Sequence, residues 1–202
     1  MGGLTIGGVT NEPGRRRRQP EVRPDQILDA AQRLLLAEGL DAMTMDAVAD
    51  AAGVGKGTIY HYYQSKAELL STLRARYLAR TVARAEEAAC RRAPRTALRR
   101  VERFIDALLE TTVENGPLVW ILFHQTAIEG EDELAVVHEA FLGLIRQGVD
   151  SGEFRITDPA FTAGFILHGF QGTVESAFHS GHIEPARLKS GMRKVIRSLL
   201  TP

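Results

Sequence analysis

Cysteine is nearly absent from this chain of 202 residues: Cys90 is the single thiol. An intrachain disulfide is therefore excluded, and a reducing compartment fits. Cys90 itself reads as a small, half-buried hydrophobe. Long apolar runs are also lacking. The longest, Leu118 to Phe123, spans six residues, far short of the roughly 20 that a membrane-crossing helix needs. No membrane partner is expected. Four arginines close the segment MGGLTIGGVTNEPGRRRR instead of preceding an apolar stretch, so no secretory signal is expected and the protein reads as cytoplasmic. Period-two alternation, the mark of half-buried strands, is missing. So is any carboxylate–histidine pair at metal spacing such as HExxH, which leaves an all-α metal-dependent enzyme as a minor alternative. No cofactor is expected, and no metal site is assigned. Net charge is zero, with 25 basic and 25 acidic side chains.

That zero hides an uneven distribution. Residues 1–103 carry 18 Lys and Arg against 12 Asp and Glu, whereas residues 104–202 carry 7 against 13. A basic first half hints at a polyanion-facing end. The basic run Arg15–Arg18 sits in a glycine-rich tail, residues 1–24, expected to be disordered. It is either a solvated tail or an arm lying along phosphates.

From Asp25 onward the apolar residues recur at helical spacing. Ile27, Ala31, Leu34 and Leu35 mark a first helix that Gly39 should close. Thr44 has the chemistry of an N-cap for a short second helix, Met45–Ala52, and Gly53 should end it. SKAE at residues 65–68 spells a capping box. A long helix should follow from Lys66 to about Arg92, with Leu69, Leu70, Leu73, Tyr77 and Val82 on its apolar side. Further helical patterns open at Pro94–Arg95, Pro117, Leu134, Asp158–Pro159 and Pro185. The segment PLVWILFHQTAI is apolar on nearly all sides and should be buried. The predicted fold class is all-α.

The stretch GVGKGTIYHYYQSK at residues 53–66 admits two readings. A phosphate-cradling loop of the form GxxxxGK[ST] requires glycine where Asp50 stands, Ser or Thr where Gly57 stands, and a buried strand beforehand. Although a GKGT ending is tolerated in some nucleotide-binding enzymes, the preceding MDAVADAA is helical in pattern. The other reading is the turn and second helix of a helix-turn-helix. Ile59 and Tyr63, four apart, would face the core and Val54 would fill the angle between the helices. Lys56, Gly57, Thr58, Tyr60, His61 and Tyr62 would then face the major groove of double-stranded DNA, with Thr44 and Lys66 on flanking phosphates. Tyr60 and Tyr62 can equally be part of the core, and His61 a plain surface residue.

Residues 27–70, ILDAAQRLLLAEGLDAMTMDAVADAAGVGKGTIYHYYQSKAELL, resemble the DNA-binding domain of the tetracycline-repressor-like (TetR) family throughout. The match is carried by Ala30–Ala31, Gly39, Thr44, Val48–Ala49, Ala52–Gly53–Val54, Thr58–Ile59–Tyr60 and Ser65–Lys66. Gly55 and Tyr63 depart from it, standing where serine and phenylalanine are usual. The resemblance is weak past residue 70. It implies three regions: an N-terminal arm at 1–24, a three-helix helix-turn-helix domain at 25–70, and a ligand-binding and dimerisation domain at 71–202, joined by the long helix. It implies a homodimer built on the last two helices. The apolar lines of the helix after Pro159, with Gly164, Val174 and Phe178, agree, as does the seam Leu188, Met192, Val195 and Leu199. A two-fold dimer implies a pseudo-palindromic operator. The implied small-molecule effector would sit among Trp120, Phe123, His124, Ile128, His138, Phe141, Ile145, Phe165, His168 and Gln171. His124, His138 and His168 are either satisfied core histidines, polar readers of a ligand, or a metal set. The expected function is a repressor that leaves its operator when the effector displaces the long helix. The alternative is a regulator controlled by a protein partner.

Overall fold

The computed structural model describes residues 24–91, 95–126, 134–181 and 183–201. The Arg15–Arg18 arm, Pro94, Ile128 and His182 lie outside them. In chain order the helices are α1 (Pro24–Ala42), α2 (Met45–Ala52), α3 (Lys56–Tyr62), α4 (Lys66–Cys90), α5 (Ala97–Glu114), α6 (Gly116–Trp120), α7 (Ala135–Asp150), α8 (Pro159–His179) and α9 (Pro185–Leu200). A single π-helical turn, Ile121–Gln125, prolongs α6. Among the described residues there is no strand, so the fold is all-α.

Local chemistry explains the helix boundaries. Thr44, Ser65, Thr96 and Asp158 each accept a hydrogen bond from the backbone N–H three residues on, at 2.9–3.2 Å, meeting one of the donors that a helix start leaves free. The reciprocal half of the capping box is displaced by one residue: Glu68 accepts from the N–H of Gln64, not of Ser65. Gly39 breaks α1 with φ +83°, yet the chain resumes a helical turn to Ala42. Lys66 donates its ammonium to the carbonyl of Leu40 just past that break. Two free N–H groups opening α5, those of Ala97 and Leu98, meet the carboxylate of Glu153 at 2.6 and 3.0 Å. Helix α4 stops at Cys90, whose side chain is exposed, contrary to the half-buried expectation. Its neighbour Ala89 takes the inward position.

Two cores share α4. The first gathers Ile27, Leu35, Val48, Ile59 and Leu73, and it recruits Leu118 and Leu122 from far along the chain. The second gathers Val101, Phe104, Ile105, Phe141, Ile145 and Ile196. Burying each large side chain of this kind contributes about 1.5–3 kcal/mol. Tyr77 and Phe123 pack against both cores, ring edge to ring face at 6.0 Å. Of the segment PLVWILFHQTAI, the described residues 117–126 run between the two cores and are not a fully buried rod. Leu118 and Leu122 are buried, but Trp120, Ile121 and Phe123 only partly so.

In α9 the residues of the expected intersubunit seam divide, Met192 turning inward and Val195 outward. Met192, Ile196 and Leu200 form its inward stripe, and Val195 is 45% exposed. Alongside that stripe, Lys189, Arg193 and Arg197 pair with Glu110, Asp106 and Glu102 of α5. Glu102 and Asp106 are buried carboxylates, and such groups persist inside a protein only when paired. Those basic residues thus face their own chain.

Candidate functional site

The helix-turn-helix is assembled by short-range devices. Gly53 takes the left-handed conformation, φ +68°. Its N–H donates to Asp50 O at 3.1 Å and that of Val54 to Ala49 O at 2.9 Å, the paired bonds of a Schellman stop. Two residues later Gly55 caps α3 without any side-chain bond. Ile59 and Tyr63 point into the first core. What remains outward is Lys56, Gly57, Tyr60 and His61, with Thr58 and Tyr62 half-buried. Tyr60 is 49% exposed. His61 packs edge-on to the Tyr62 ring at 5.4 Å, and Tyr62 also leans on the core.

Three of the proposed contact residues, Lys56, Lys66 and Thr44, are engaged within the chain. Lys56 forms a hydrogen-bonded ion pair with Asp46, and that carboxylate pushes the Lys56 ammonium up from its ordinary value. Both partners are exposed, so the pair is open to exchange. Lys66 is half-buried and holds the Leu40 carbonyl, which makes it a brace for α1 as well as a residue near the surface. Thr44 spends its hydroxyl acceptor on Ala47 N–H but stays exposed. Gly57 lies inside α3, past the turn. Its φ is not positive, and a Cβ there would meet nothing within 4 Å. The chain's own packing therefore does not require glycine at this position.

The second site is a half-open cavity of about 210 Å³ lined by α4, α5, α6 with its π turn, α7 and α8. Of the residues expected to line it, Phe123, His124, His138, His168 and Gln171 do so. Phe141 does not: it is fully buried against Phe104, ring centroids 5.7 Å apart. Ile145 is likewise a core residue. Phe165 is 58% exposed and stacks on Phe161 outside. Trp120 sits off the lining, stacked on His124 at 4.5 Å and touched edge-on by His179.

Sequence reasoning missed Tyr77, Leu78, Thr81, Leu108 and Thr112, which form the α4 and α5 wall. The 77/81 spacing of four places both polar groups on one helix face, but nothing in the pattern separates a cavity wall from a core wall. Val174 and Phe178, expected at an interface between subunits, also line this cavity. Gly164 faces α7, where a Cβ would lie 3.6 Å from His138 Nε2.

The three histidines are separately engaged. His124 Nε2 lies 3.4 Å from Glu175 Oε1, His168 Nδ1 lies 2.8 Å from Gly164 O, and His138 faces Gly164. Among the described residues no group of three His, Cys, Asp or Glu side chains is arranged to hold a metal ion. No described helix is long and apolar enough to cross a membrane.

Arg74 and Arg76, two positions apart on α4, tie it to different elements. Arg74 is buried, donates Nε to Leu122 O at 3.0 Å, and lies over the Phe123 ring at 4.8 Å. Arg76 binds Asp29 of α1 at 2.7 Å and Gln32 at 3.2 Å.

A family model described as bacterial regulatory proteins, tetR family, matches residues 27–73. An uncharacterized HTH-type transcriptional regulator of Bacillus subtilis, YhgD, is 31% identical over 153 residues, covering 72% of this chain and 78% of that protein. The HTH-type transcriptional repressor LfrR of Mycolicibacterium smegmatis is 37% identical over 109 residues, about half of either chain (54% and 53%). Among solved structures, the transcriptional regulator FadR of Bacillus subtilis, in complex with stearoyl-CoA, superposes with a TM-score of 0.73 at 20% identity, covering 88% of this chain and all of that one (100%). At that identity the likeness speaks for the fold.

Proposed function

The chain belongs to the tetR family of bacterial regulatory proteins, transcriptional regulators and not enzymes, and on that premise we propose that it is a homodimeric repressor released from a pseudo-palindromic operator by a small, largely apolar ligand. The observation that carries this reading is the reach of α4. Tyr77 and Thr81 line the cavity, Arg76 grips α1, and Lys66 holds the carbonyl beyond the α1 break. A ligand that shifts α4 in one body therefore moves the recognition helix carried by the other. Two recognition helices must sit about 34–36 Å apart to enter successive major grooves, so a modest tilt of α4 is enough to lose the register. Ligand and operator then oppose each other through a reciprocal coupling.

Within that reading the domains are those expected from the sequence, an arm to residue 24, a reader to residue 70, and a sensor beyond. Thr44, Lys56, Gly57, Thr58, Tyr60, His61 and Tyr62 form the DNA face. Repression is the sense named for the relative LfrR. The dimer surface is the outer side of α8 and α9. Phe161 and Phe165, 70% and 58% exposed, and Val195 support this. Isolated apolar side chains are ordinary on a surface, but large aromatics adjacent on one helix mark an interface.

Fluorescence anisotropy on a fragment of the chain's own promoter region tests the proposal, with the protein's mass in solution measured alongside. Two protomers per site are expected. Affinity should fall steeply with salt yet favour one sequence over scrambled DNA. His61→Ala should relax base preference by about 1–3 kcal/mol without changing the dimer. Binding without sequence preference, or a monomer on DNA, overturns the reading.

A further inference from the structure

The lining of the cavity divides by exposure into a floor and a rim. Leu78, Leu108, Val137 and Val174 are buried, and with the rings of Tyr77 and Phe123 they make the floor. The hydroxyls of Thr81 and Thr112 hydrogen-bond the Tyr77 phenol, so the polar atoms of the floor are spent on one another. The rim is polar. His124, His168 and Gln171 are exposed, and His138 and Glu175 are half-buried. A molecule seated here meets apolar surface at one end and a few hydrogen-bonding groups at the other, the usual plan of a small-molecule site.

Two rim groups have their hydrogen-bonding sense fixed by neighbours or by charge. His168 Nδ1 lies 2.8 Å from Gly164 O. A carbonyl oxygen accepts and cannot donate, so Nδ1 carries the hydrogen, and Nε2 of the neutral ring is left with a lone pair. Glu175 is a carboxylate, and His124 Nε2 approaches its Oε1 at 3.4 Å. That occupies one of the roughly four lone-pair sites such a group offers. The Gln171 amide and the His138 ring can present either sense. The fixed polarity of the rim is therefore that of an acceptor. It receives an O–H or N–H group, whereas a carbonyl sets lone pair against lone pair and leaves the rim acceptors unmet, which is costly. A volume of about 210 Å³ lies below the roughly 300–1,000 Å³ of sites for drug-sized molecules, so the occupant is short. We infer, on the premise that this cavity is the effector site proposed above, that it takes a short amphiphile lying with its apolar end on the floor. Its polar end is a hydrogen-bond donor, a hydroxyl or an amine, received at the α8 rim by His168 and Glu175.

Full-length protein in mildly alkaline buffer is titrated with 1-octanol and 2-octanone, which match in heavy atoms and differ in whether the oxygen carries a hydrogen. Binding is followed by the fluorescence of Trp120, the single tryptophan, which stacks on the rim residue His124. Octanol is expected to bind about tenfold more tightly than octanone, the factor one well-formed hydrogen bond supplies. His168→Phe and Glu175→Met should each shrink that ratio, and together bring it to within about twofold, with the affinity for octanone itself nearly unchanged. Thr81→Val, on the floor, should leave the ratio as it is. Equal binding of the two probes, or binding of neither, overturns the inference. So does a ratio that survives the double variant or collapses in Thr81→Val. Loss of both probes from the rim variants would mean that these residues shape the cavity instead of reading the ligand, and overturns it as well. Operator release is measured in parallel. Preferential octanol binding without release upholds the chemistry of the cavity while refuting its effector role. Release by octanone as readily as by octanol leaves the effector role standing and overturns the requirement for a donor.

Discussion

The recognition module and the ligand cavity are built by opposite rules, although α4 runs through both. In the module, residues 44–66, each structural decision is made within a few positions. Thr44 caps three residues ahead, Gly53 turns the chain where a left-handed residue is required, and Ser65 starts α4. In the cavity, neighbours come from Tyr77, Leu108, Phe123, His138 and Phe178, five separate elements. Their proximity depends on how five helices rotate about their axes. Short-range devices fix the plan of the reader locally. Long-range packing makes a chamber whose shape answers to small side-chain changes.

If the two bodies nevertheless share one cooperative structure, damage to one must reach the other. Phe104 is fully buried beside Phe141 in the second core. Phe104→Ala should cost about 3–5 kcal/mol, read as a lower midpoint in urea at unchanged slope. Because Tyr77 and Phe123 belong to both cores, the melt should remain one transition by both circular dichroism and Trp120 fluorescence. Two separated transitions would show that the reader folds independently of the sensor, and the division drawn at residue 70 would then be sharp.

A smaller effect is expected at the turn. Gly53 holds φ +68°, where a Cβ costs about 1–2 kcal/mol. Gly53→Ala should lower stability by that amount and lower operator affinity by more, because the angle between α2 and α3 sets how α3 is presented. Loss of stability with full affinity would mean that the angle is fixed by Val54 and the core instead.

The same contrast explains what could be read in advance. Helix class, most boundaries and the inward faces of α2, α3 and α4 follow from caps, glycines and spacing, all local. The inward stripe of α9 does not. Met192, Ile196 and Leu200 turn inward while Arg193 and Arg197 of the same helix reach Asp106 and Glu102 of α5. That ladder is visible at four-residue spacing only once α5 is known to be its partner. Likewise Phe165 and Phe141 look alike in sequence, but one lies on the surface and the other in the core. Tyr77 and Thr81 escaped notice because a cavity is a space that no side chain fills, and sequence periodicity records only which face is covered.

Gly57 separates folding from reading at one residue. A Cβ there meets nothing, and its backbone is ordinary. Gly57→Ala should therefore raise stability by about 0.5–1 kcal/mol, the usual gain inside a helix, while operator affinity falls because a methyl intrudes where DNA must approach. Opposite signs in a melt and a titration are the expected result. A gain in both would remove Gly57 from the DNA face.

The gentlest test concerns the pair of Lys56 and Asp46. Both side chains are largely exposed, 67% and 52%, and exposed pairs contribute little to stability. Their weight lies in what they withhold. While Asp46 holds the ammonium, a DNA phosphate must compete for it, and the carboxylate itself repels that phosphate. Asp46→Asn should leave the melting temperature nearly unchanged. It should strengthen operator binding a few-fold at low salt, and the gain should shrink as salt rises, because added ions screen exposed charges beyond about 10 Å at 0.1 M. Lys56→Ala in the same background should cancel the gain if the lysine delivers it. A gain that persists without Lys56 would assign the effect to Asp46 repelling the DNA directly, and Lys56 would lose its place among the reading residues.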